Sequence, residues 1–343
     1  MNTGRHVGTA LCLTVAMALA PWGIDDARSQ TEEITVVLPN PSAINVFPLH
    51  VAIGEGYFQD EGLNVTVEAV DGSAPVLQAM AAGQAEIGLP GPGPVLAARS
   101  RGEDVVFIYN LYPKSIFGLV VREDSDYQEP AELKGTTVGV GTADGAEVAL
   151  ARAILTDAGL TEGQDYEFLP VGDGGLAATA LLGGDVEAYA AAVSDAAIIE
   201  SRGLDLREIT PEPFLSYFGN GFAALRSYID ANPDVIEGFG RAIVRGVEFG
   251  MDPANQEQTL EHAKKGNPQE GEDPAFAAAL LQAIQNRMTP LDASNGWGYQ
   301  PPEHWEVWHE SLVGSDALSE PLPDLSAAYT NAFVETWNAA AQQ

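Results

Sequence analysis

Thiols and lysines are almost missing from this sequence. Of its 343 residues only Cys12 is a cysteine, and it lies inside an apolar N-terminal run. A chain trimmed of that run has no thiol, which excludes disulfides, cysteine metal sites and a cysteine nucleophile. The lysines are Lys114, Lys134, Lys264 and Lys265; with the arginines they make 16 basic residues against 49 Asp plus Glu, a formal net charge of −33. The acids are spread along the chain instead of gathering in a tail, which speaks against a disordered acidic segment. Phosphate binding needs clustered Lys and Arg, so nucleic acid is excluded as a partner. A surface this acidic repels itself unless salt screens it, and we read it as an adaptation to a salty medium.

Long apolar runs are missing too. The longest, residues 7–20, falls short of the roughly 20 residues that span a bilayer. It follows Arg5 and His6 and precedes Ala27-Arg28-Ser29. That layout reads as an export signal over residues 1–29, cleaved before Gln30, and implies a periplasmic protein. A lipid anchor needs a cysteine at the end of the run, and Cys12 sits in its middle. Catalytic motifs are equally scarce. There is no Gly-x-Ser-x-Gly, Walker loop or His-Glu-x-x-His. His50, His262, His304 and His309 lack ligand spacing, and Gly139-x-Gly141 is too short for a dinucleotide fingerprint. We therefore expect no catalytic residue, no metal and no cofactor.

What is present is an alternation of strands and helices. Residues 33–38, 64–70, 85–89 and 104–110 read as strands, with helices over 45–52, 73–83 and 93–102 between them. Ser73 is the expected N-cap of the second helix. A second such series follows: strands 136–140, 166–171, 186–193 and 206–210, with helices 145–158, 175–182 and 195–201. This pattern predicts two α/β units with largely parallel sheets. The stretches 117–122 and 216–224 read as crossings between them. Beyond Ser227 the chain reads as helical, with Pro-containing starts at Asn232-Pro233, Asp252-Pro253, Asp273-Pro274 and Leu322-Pro323.

Several of these strings resemble one family. Gly56-Tyr57-Phe58, Glu61-Gly62-Leu63, a helix ending Ala82-Gly83, and a strand with Gly88 before a Pro/Gly loop form the first block. Glu132-Leu133-Lys134-Gly135 with Val138-Gly139-Val140, then Gly184-Asp185-Val186-Glu187-Ala188, form the second. In order and spacing they are similar to the solute-binding proteins of ABC importers for nitrate, sulfonates, taurine and thiamine-pyrimidine precursors. The resemblance implies a two-lobed periplasmic binding protein fold of type II, α/β with two crossing strands and a helical C-terminal region. The lobes would be residues 30–118 plus 219–343, and 119–218. It also implies a monomer that closes on a small solute and delivers it to a membrane permease and its ATPase. Some relatives make the thiamine pyrimidine instead of binding it. A periplasmic sensor module that presents solute to a receptor is the other alternative.

In doubly wound sheets ligands sit beyond the carboxyl ends of strands. The loops there are 40–45, 71–74 and 90–93 in one lobe and 142–145, 173–175 and 194–195 in the other. The family comparison singles out 42–45, 89–91 and 141–144, with the crossings 109–114 and 217–220. The candidate solute-binding residues are Ser42, Asn45, Pro90, Gly91, Tyr112, Thr142, Asp144, Ser194, Asp195, Tyr217 and Asn220. Asp144, Asp173 and Asp195 all stand at helix starts, where an acid complements the macrodipole. One reading is that all three simply complement the helix dipole; the other is that the cleft is electronegative, with Asp144 the candidate to face the solute and to favour an amine or ring N–H over an anion. Asp173 is expected to be a plain helix-start acid. Lys114 is the nearby cation that would rescue an anion site. Phe47, Tyr112, Tyr217 and Phe218 are candidate stacking rings, and Trp297 is expected to cover the C-terminal helices.

Overall fold

Ten strands and the helices between them arise from the two alternating series. The computed structural model describes residues 1–4, 31–215 and 217–339. The expected export signal lies, apart from its first four residues, outside the described residues. Along the chain the strands are β1 (Glu32–Leu38), β2 (Leu63–Ala69), β3 (Ile87–Gly88), β4 (Val105–Asn110), β5 (Phe117–Arg122), β6 (Thr136–Val140), β7 (Tyr166–Pro170), β8 (Ala188–Ala192), β9 (Leu206–Glu208) and β10 (Gly221–Leu225).

They form two five-stranded sheets in the orders β2-β1-β3-β10-β4 and β7-β6-β8-β5-β9. The two orders repeat one plan. In each sheet three strands run parallel, as β1 does with β2 and β3, and β6 with β7 and β8. The fourth position is an antiparallel strand arriving from the other sheet: β10 beside β3 and β4, and β5 beside β8 and β9. The chain therefore crosses twice, between β4 and β5 and between β9 and β10. This is the two-lobed periplasmic binding protein fold.

The first series carries helices α1 (Phe47–Gly54), α2 (Tyr57–Asp60), α3 (Ser73–Ala81) and α4 (Pro92–Ser100); the second carries α5 (Ala146–Asp157), α6 (Gly175–Gly183) and α7 (Val193–Ser201). A short α8 (Glu212–Leu215) precedes β10. The C-terminal region holds α9 (Arg226–Ala231), α10 (Pro233–Met251), α11 (Gln256–Gly266), α12 (Pro274–Met288), α13 (Pro302–Gly314) and α14 (Val334–Ala339). Helix α10 shows why this region folds onto the first sheet. Ile236, Phe239, Ile243 and Val247, three or four residues apart, are all buried, which is the spacing of one helix face. Its outer face pairs Arg241 with Glu61 at 2.7 Å and Arg245 with Asp60 at 2.9 Å.

Two local expectations are corrected. Ser73 is the first residue of α3, not its cap, and its fully buried hydroxyl instead accepts from the Gly91 amide at 3.1 Å. That bond draws the loop after β3 onto the loop after β2. Leu322-Pro323 begins no α-helix; the element that follows it directly is a 3-10 turn, Leu325–Ala328. The Tyr329 end of that segment bridges to Phe107 and Gly298 bridges to Asn110, which covers the otherwise open edge of β4.

The aromatic residues serve packing. Phe47, Tyr112 and Phe218 are buried. Tyr217 packs on Phe214 and Trp308, with ring centroids 5.2 Å apart in each pair. The Trp308 indole donates to the Phe218 carbonyl at 3.1 Å, pinning the returning crossing to α13. Trp297 packs against the core of the C-terminal helices, and its backbone amide and carbonyl bond to the two ends of the Asn338 side-chain amide on α14.

Candidate functional site

The carboxyl ends of both sheets converge on one cavity of about 610 Å³. The first-sheet wall is Ser42 and Asn45 from the loop after β1, Gly72 and Ser73, and Asn220 from the crossing. The second-sheet wall is Thr142 and Glu147 after β6, Asp173 and Gly174 after β7, and Ser194 and Asp195 after β8. The segment 267–276 before and into α12 closes one side with Gln269, Glu270, Glu272, Asp273 and Phe276.

Of the candidates, Ser42, Asn45, Thr142, Ser194, Asp195 and Asn220 line this cavity. Pro90 and Gly91 lie behind it. The Pro90 carbonyl accepts from Gly221 at 3.3 Å, and Gly91 sits where a Cβ would come 2.4 Å from the Ala146 Cβ. Tyr112 is buried beneath the wall, its hydroxyl donating to the Asn45 carbonyl. Tyr217 is turned into the aromatic core described above. Lys114 donates to the Asn286 carbonyl at 3.0 Å and does not line the cavity.

The two acids compared at helix starts exchange places. Asp173 lines the cavity, whereas Asp144 is exposed and lines a separate groove between α4, α5 and α13. Glu147, the second residue of α5, is the acid that points back, its carboxylate accepting from the Thr142 amide. The separate groove is larger, about 850 Å³, but apart from the loop 143–145 its walls are mostly flanks of α3, α4, α5 and α13 and surface turns, whereas the cavity of about 610 Å³ gathers the loops after β1, β2, β6, β7 and β8. We therefore place the functional site in the cleft.

Backbone amides around the cavity are satisfied by the chain's own carboxylates. Ala43 and Ile44 donate to one Glu270 oxygen at 2.8 and 3.0 Å, and the Ser42 hydroxyl donates to the other. Thr142 donates to Glu147 at 3.3 Å and Gly174 to Asp195 at 3.2 Å. Unpaired acceptors remain. Asn220, 3% exposed, donates its amide to the Leu89 carbonyl at 3.0 Å. That contact fixes which end is nitrogen, because a carbonyl only accepts, and Asn220 Oδ1 has no partner. Asn45 Nδ2 reaches Ser194 Oγ at 3.1 Å across the cleft, leaving Asn45 Oδ1 unpaired.

The acids of the second wall crowd each other. Desolvation in the cleft, with the charge of Asp173, raises Glu147 to about 7. Desolvation and the charges of Asp173 and Glu147 raise Asp195 to about 8. Asp173 keeps an exposed surface, yet partial desolvation still holds it above the ordinary carboxylate range. The Tyr189 hydroxyl, 3.4 Å away, opposes that rise. Arg202 is the cation that lines the cavity, its guanidinium lying over Gly175, and it forms no ion pair among the described residues.

Glu270, Glu147 and Arg202 escape sequence reasoning. Glu270 reaches the loop before α1 from 226 residues away, and no local pattern signals that contact. Glu147 was legible in principle as an acid in the first turn of α5.

A two-lobed fold with a cavity at the strand ends of both sheets defines a class of cleft-binding proteins. Residues 43–256 match the NMT1/THI5-like family, and the chain belongs to it. It is 24% identical over 304 residues to the formylaminopyrimidine-binding protein of Halalkalibacterium halodurans, covering 87% of this chain and 89% of that one. It is 24% identical over 317 residues to the riboflavin-binding protein RibY of Chloroflexus aurantiacus, covering 90% and 88%. A 4-amino-5-hydroxymethyl-2-methylpyrimidine phosphate synthase of Candida albicans is 30% identical over 113 residues, only 32% of either chain. The periplasmic aliphatic sulphonate binding protein SsuA of Escherichia coli shares the fold with a TM-score of 0.66 and 16% identity, over 87% of this chain and 91% of that one.

Proposed function

We propose that the chain is the extracytoplasmic solute-binding subunit of an ABC importer and that its solute is a small organic molecule rich in N–H donors, an amine or amino-heterocycle. One observation carries the choice of solute. The amides that would hold an anion are taken by Glu270, Glu147 and Asp195, while Asn45 and Asn220, both at the cavity, have buried carbonyl oxygens without partners. Buried acceptors without partners cost stability until a ligand supplies donors. The moving bodies in this reading are residues 30–118 plus 219–343 and residues 119–218. The solute draws them together because it touches both walls only when they are closed. Delivery is to a permease and ATPase, and the protein acts as a monomer.

A binding role is favoured over synthesis because no histidine lines the cavity among the described residues; His50 lies in a smaller cavity with His262. Burial and the neighbouring His262 lower His50 to about 4. The deciding experiment is a thermal-shift screen of aminopyrimidines, aliphatic amines, sulfonates and nitrate. A solute at 100 times its Kd adds about 2.7 kcal/mol to stability. Stabilisation by sulfonate or nitrate and by no amine would reverse the assignment.

Export and salt tolerance belong to the same proposal. Mass spectrometry of the periplasmic fraction should find a mature N-terminus near Gln30. The melting temperature should climb from about 0.01 to 1 M salt as the Debye length contracts from roughly 30 to 3 Å. A flat curve would mean the acids are neutralised locally.

A further inference from the structure

We propose that Glu270 is a specificity-determining gate: it fills, from inside the protein, an anion site formed by the loop before α1, and so shuts anionic solutes out of the cleft. This rests on the donor-rich solute proposed above and names the residue that enforces it. Three donors converge on one carboxylate, the Ser42 hydroxyl and the amides of Ala43 and Ile44. Such a fork of N–H and O–H groups holds a sulfonate, a sulfate or a carboxylate equally well. Ala43 and Ile44 are buried, so water does not replace the carboxylate there without opening the structure.

The gate is delivered by a tied segment. Asn267 donates to the Pro41 carbonyl at 3.2 Å and accepts from Gln269 at 3.2 Å. Asp273 then caps α12 through the amides of Ala275 and Phe276. The 3-10 turn Pro268–Gly271 between these anchors holds Glu270 over the loop. A carboxylate held this way competes at an effective concentration that a free anion does not match. No Lys, Arg or His pairs with it among the described residues, so its charge is answered by the three donors alone. That the loop faces a ligand position has separate support. Asn45, next to these donors and 8% exposed, lines the cavity with an unpartnered Oδ1.

The test is calorimetric titration of sodium sulfate and of ethanesulfonate into the exported, mature protein, with ionic strength held constant by sodium chloride. The wild type should give no saturable heat. Glu270→Ala should bind sulfate saturably and at least tenfold more tightly than the wild type. Glu270→Gln, which keeps an acceptor for Ser42 but no charge, should gain less. A folded Glu270→Ala protein without saturable sulfate binding overturns the gate, as does a wild type that binds sulfate as tightly as the variant. If the alanine variant does not fold, Glu270→Gln decides by the same criterion. An amine titration of the wild type separates the two readings. Amine binding with no anion gain in the variants sinks the gate alone, and anion gain without wild-type amine binding sinks only the solute reading.

Discussion

The two walls of the cleft occupy equivalent places in two sheets of the same strand order, yet they carry opposite chemistry. In the first sheet the strand ends present Ser42, Asn45, Ser73 and Asn220, neutral groups backed by a dense core, with Ser73 and Asn220 fixed by bonds to the backbone. In the second the corresponding ends present Glu147, Asp173 and Asp195, carried on glycine turns and on helices of mostly small residues such as α6. Gly174, with φ +51°, supplies one of those turns and gives its amide to Asp195. The topology decides where a solute sits, and the residues at those places decide which solute. The neutral side chains of the first wall orient a ligand, while its charge is selected by the acidic wall and by Glu270 over the Ser42 loop.

Neutralising the acidic wall should therefore have the largest effect. The double variant Glu147→Gln, Asp195→Asn removes two charged acceptors, each worth about 1.5–3 kcal/mol when it receives a hydrogen bond. Amine affinity should fall a hundredfold or more by calorimetry, while the melting temperature of the empty protein at pH 8 rises because mutual repulsion is gone. Unchanged affinity with a lower melting temperature would make both acids structural caps.

The same wall predicts a pH dependence. Glu147 and Asp195 are raised to about 7 and about 8 in the folded protein, against roughly 4 for unfolded carboxylates. Between those values the folded state holds more protons than the unfolded one, so these groups lower stability as pH rises through that window. The wild type should lose melting temperature relative to the double variant between about pH 5 and 8, and amine affinity should climb over the same interval. A difference curve that stays level would place neither acid in a desolvated cleft.

Closure gives a smaller, more selective effect. Gly91 faces Ala146 across the lobes so tightly that a Cβ would meet the alanine methyl at 2.4 Å. Gly91→Val should hold the lobes apart, cut affinity roughly tenfold, about 1.4 kcal/mol, and enlarge the radius of gyration with solute present. Binding at wild-type strength in a protein that scatters as before would show that the seam yields.

Much of this was legible in the residues. Strand β6 has the bounds its residues predict, and the extended crossing read at 117–122 coincides with β5. Half of the site was legible as well, because strand-end loops are where ligands bind. The rest depended on contacts that no local pattern carries. Ser73 reads as a cap, but its hydroxyl goes to Gly91, 18 residues on. Tyr112 and Tyr217 look like cleft walls until α13 and the Asn45 loop claim them. Glu270 belongs to a helical region whose sequence gave no reason to look toward the cleft.

The smallest expected effect concerns Asp144, which the residues alone offered as a solute contact. At sequence level Asp144 and Asp173 are alike: each follows a strand and starts a helix. In the structure Asp144 is exposed beside a separate groove, and Asp173 lines the cavity within reach of the Tyr189 hydroxyl. An exposed charge that does not line the cavity is screened by water and salt, over about 10 Å at 0.1 M, so Asp144→Asn should leave amine affinity within about twofold of wild type. Asp173→Asn acts in a partly desolvated site whose neighbours are already strained by like charge. Removing its charge should weaken the amine several-fold, short of the double variant because Asp173 remains open to water. Calorimetry on the two single variants at pH 8 separates them directly. A larger loss for Asp144→Asn would mean the loop after β6 turns inward when solute binds, and the acidic wall would then have to be redrawn around it.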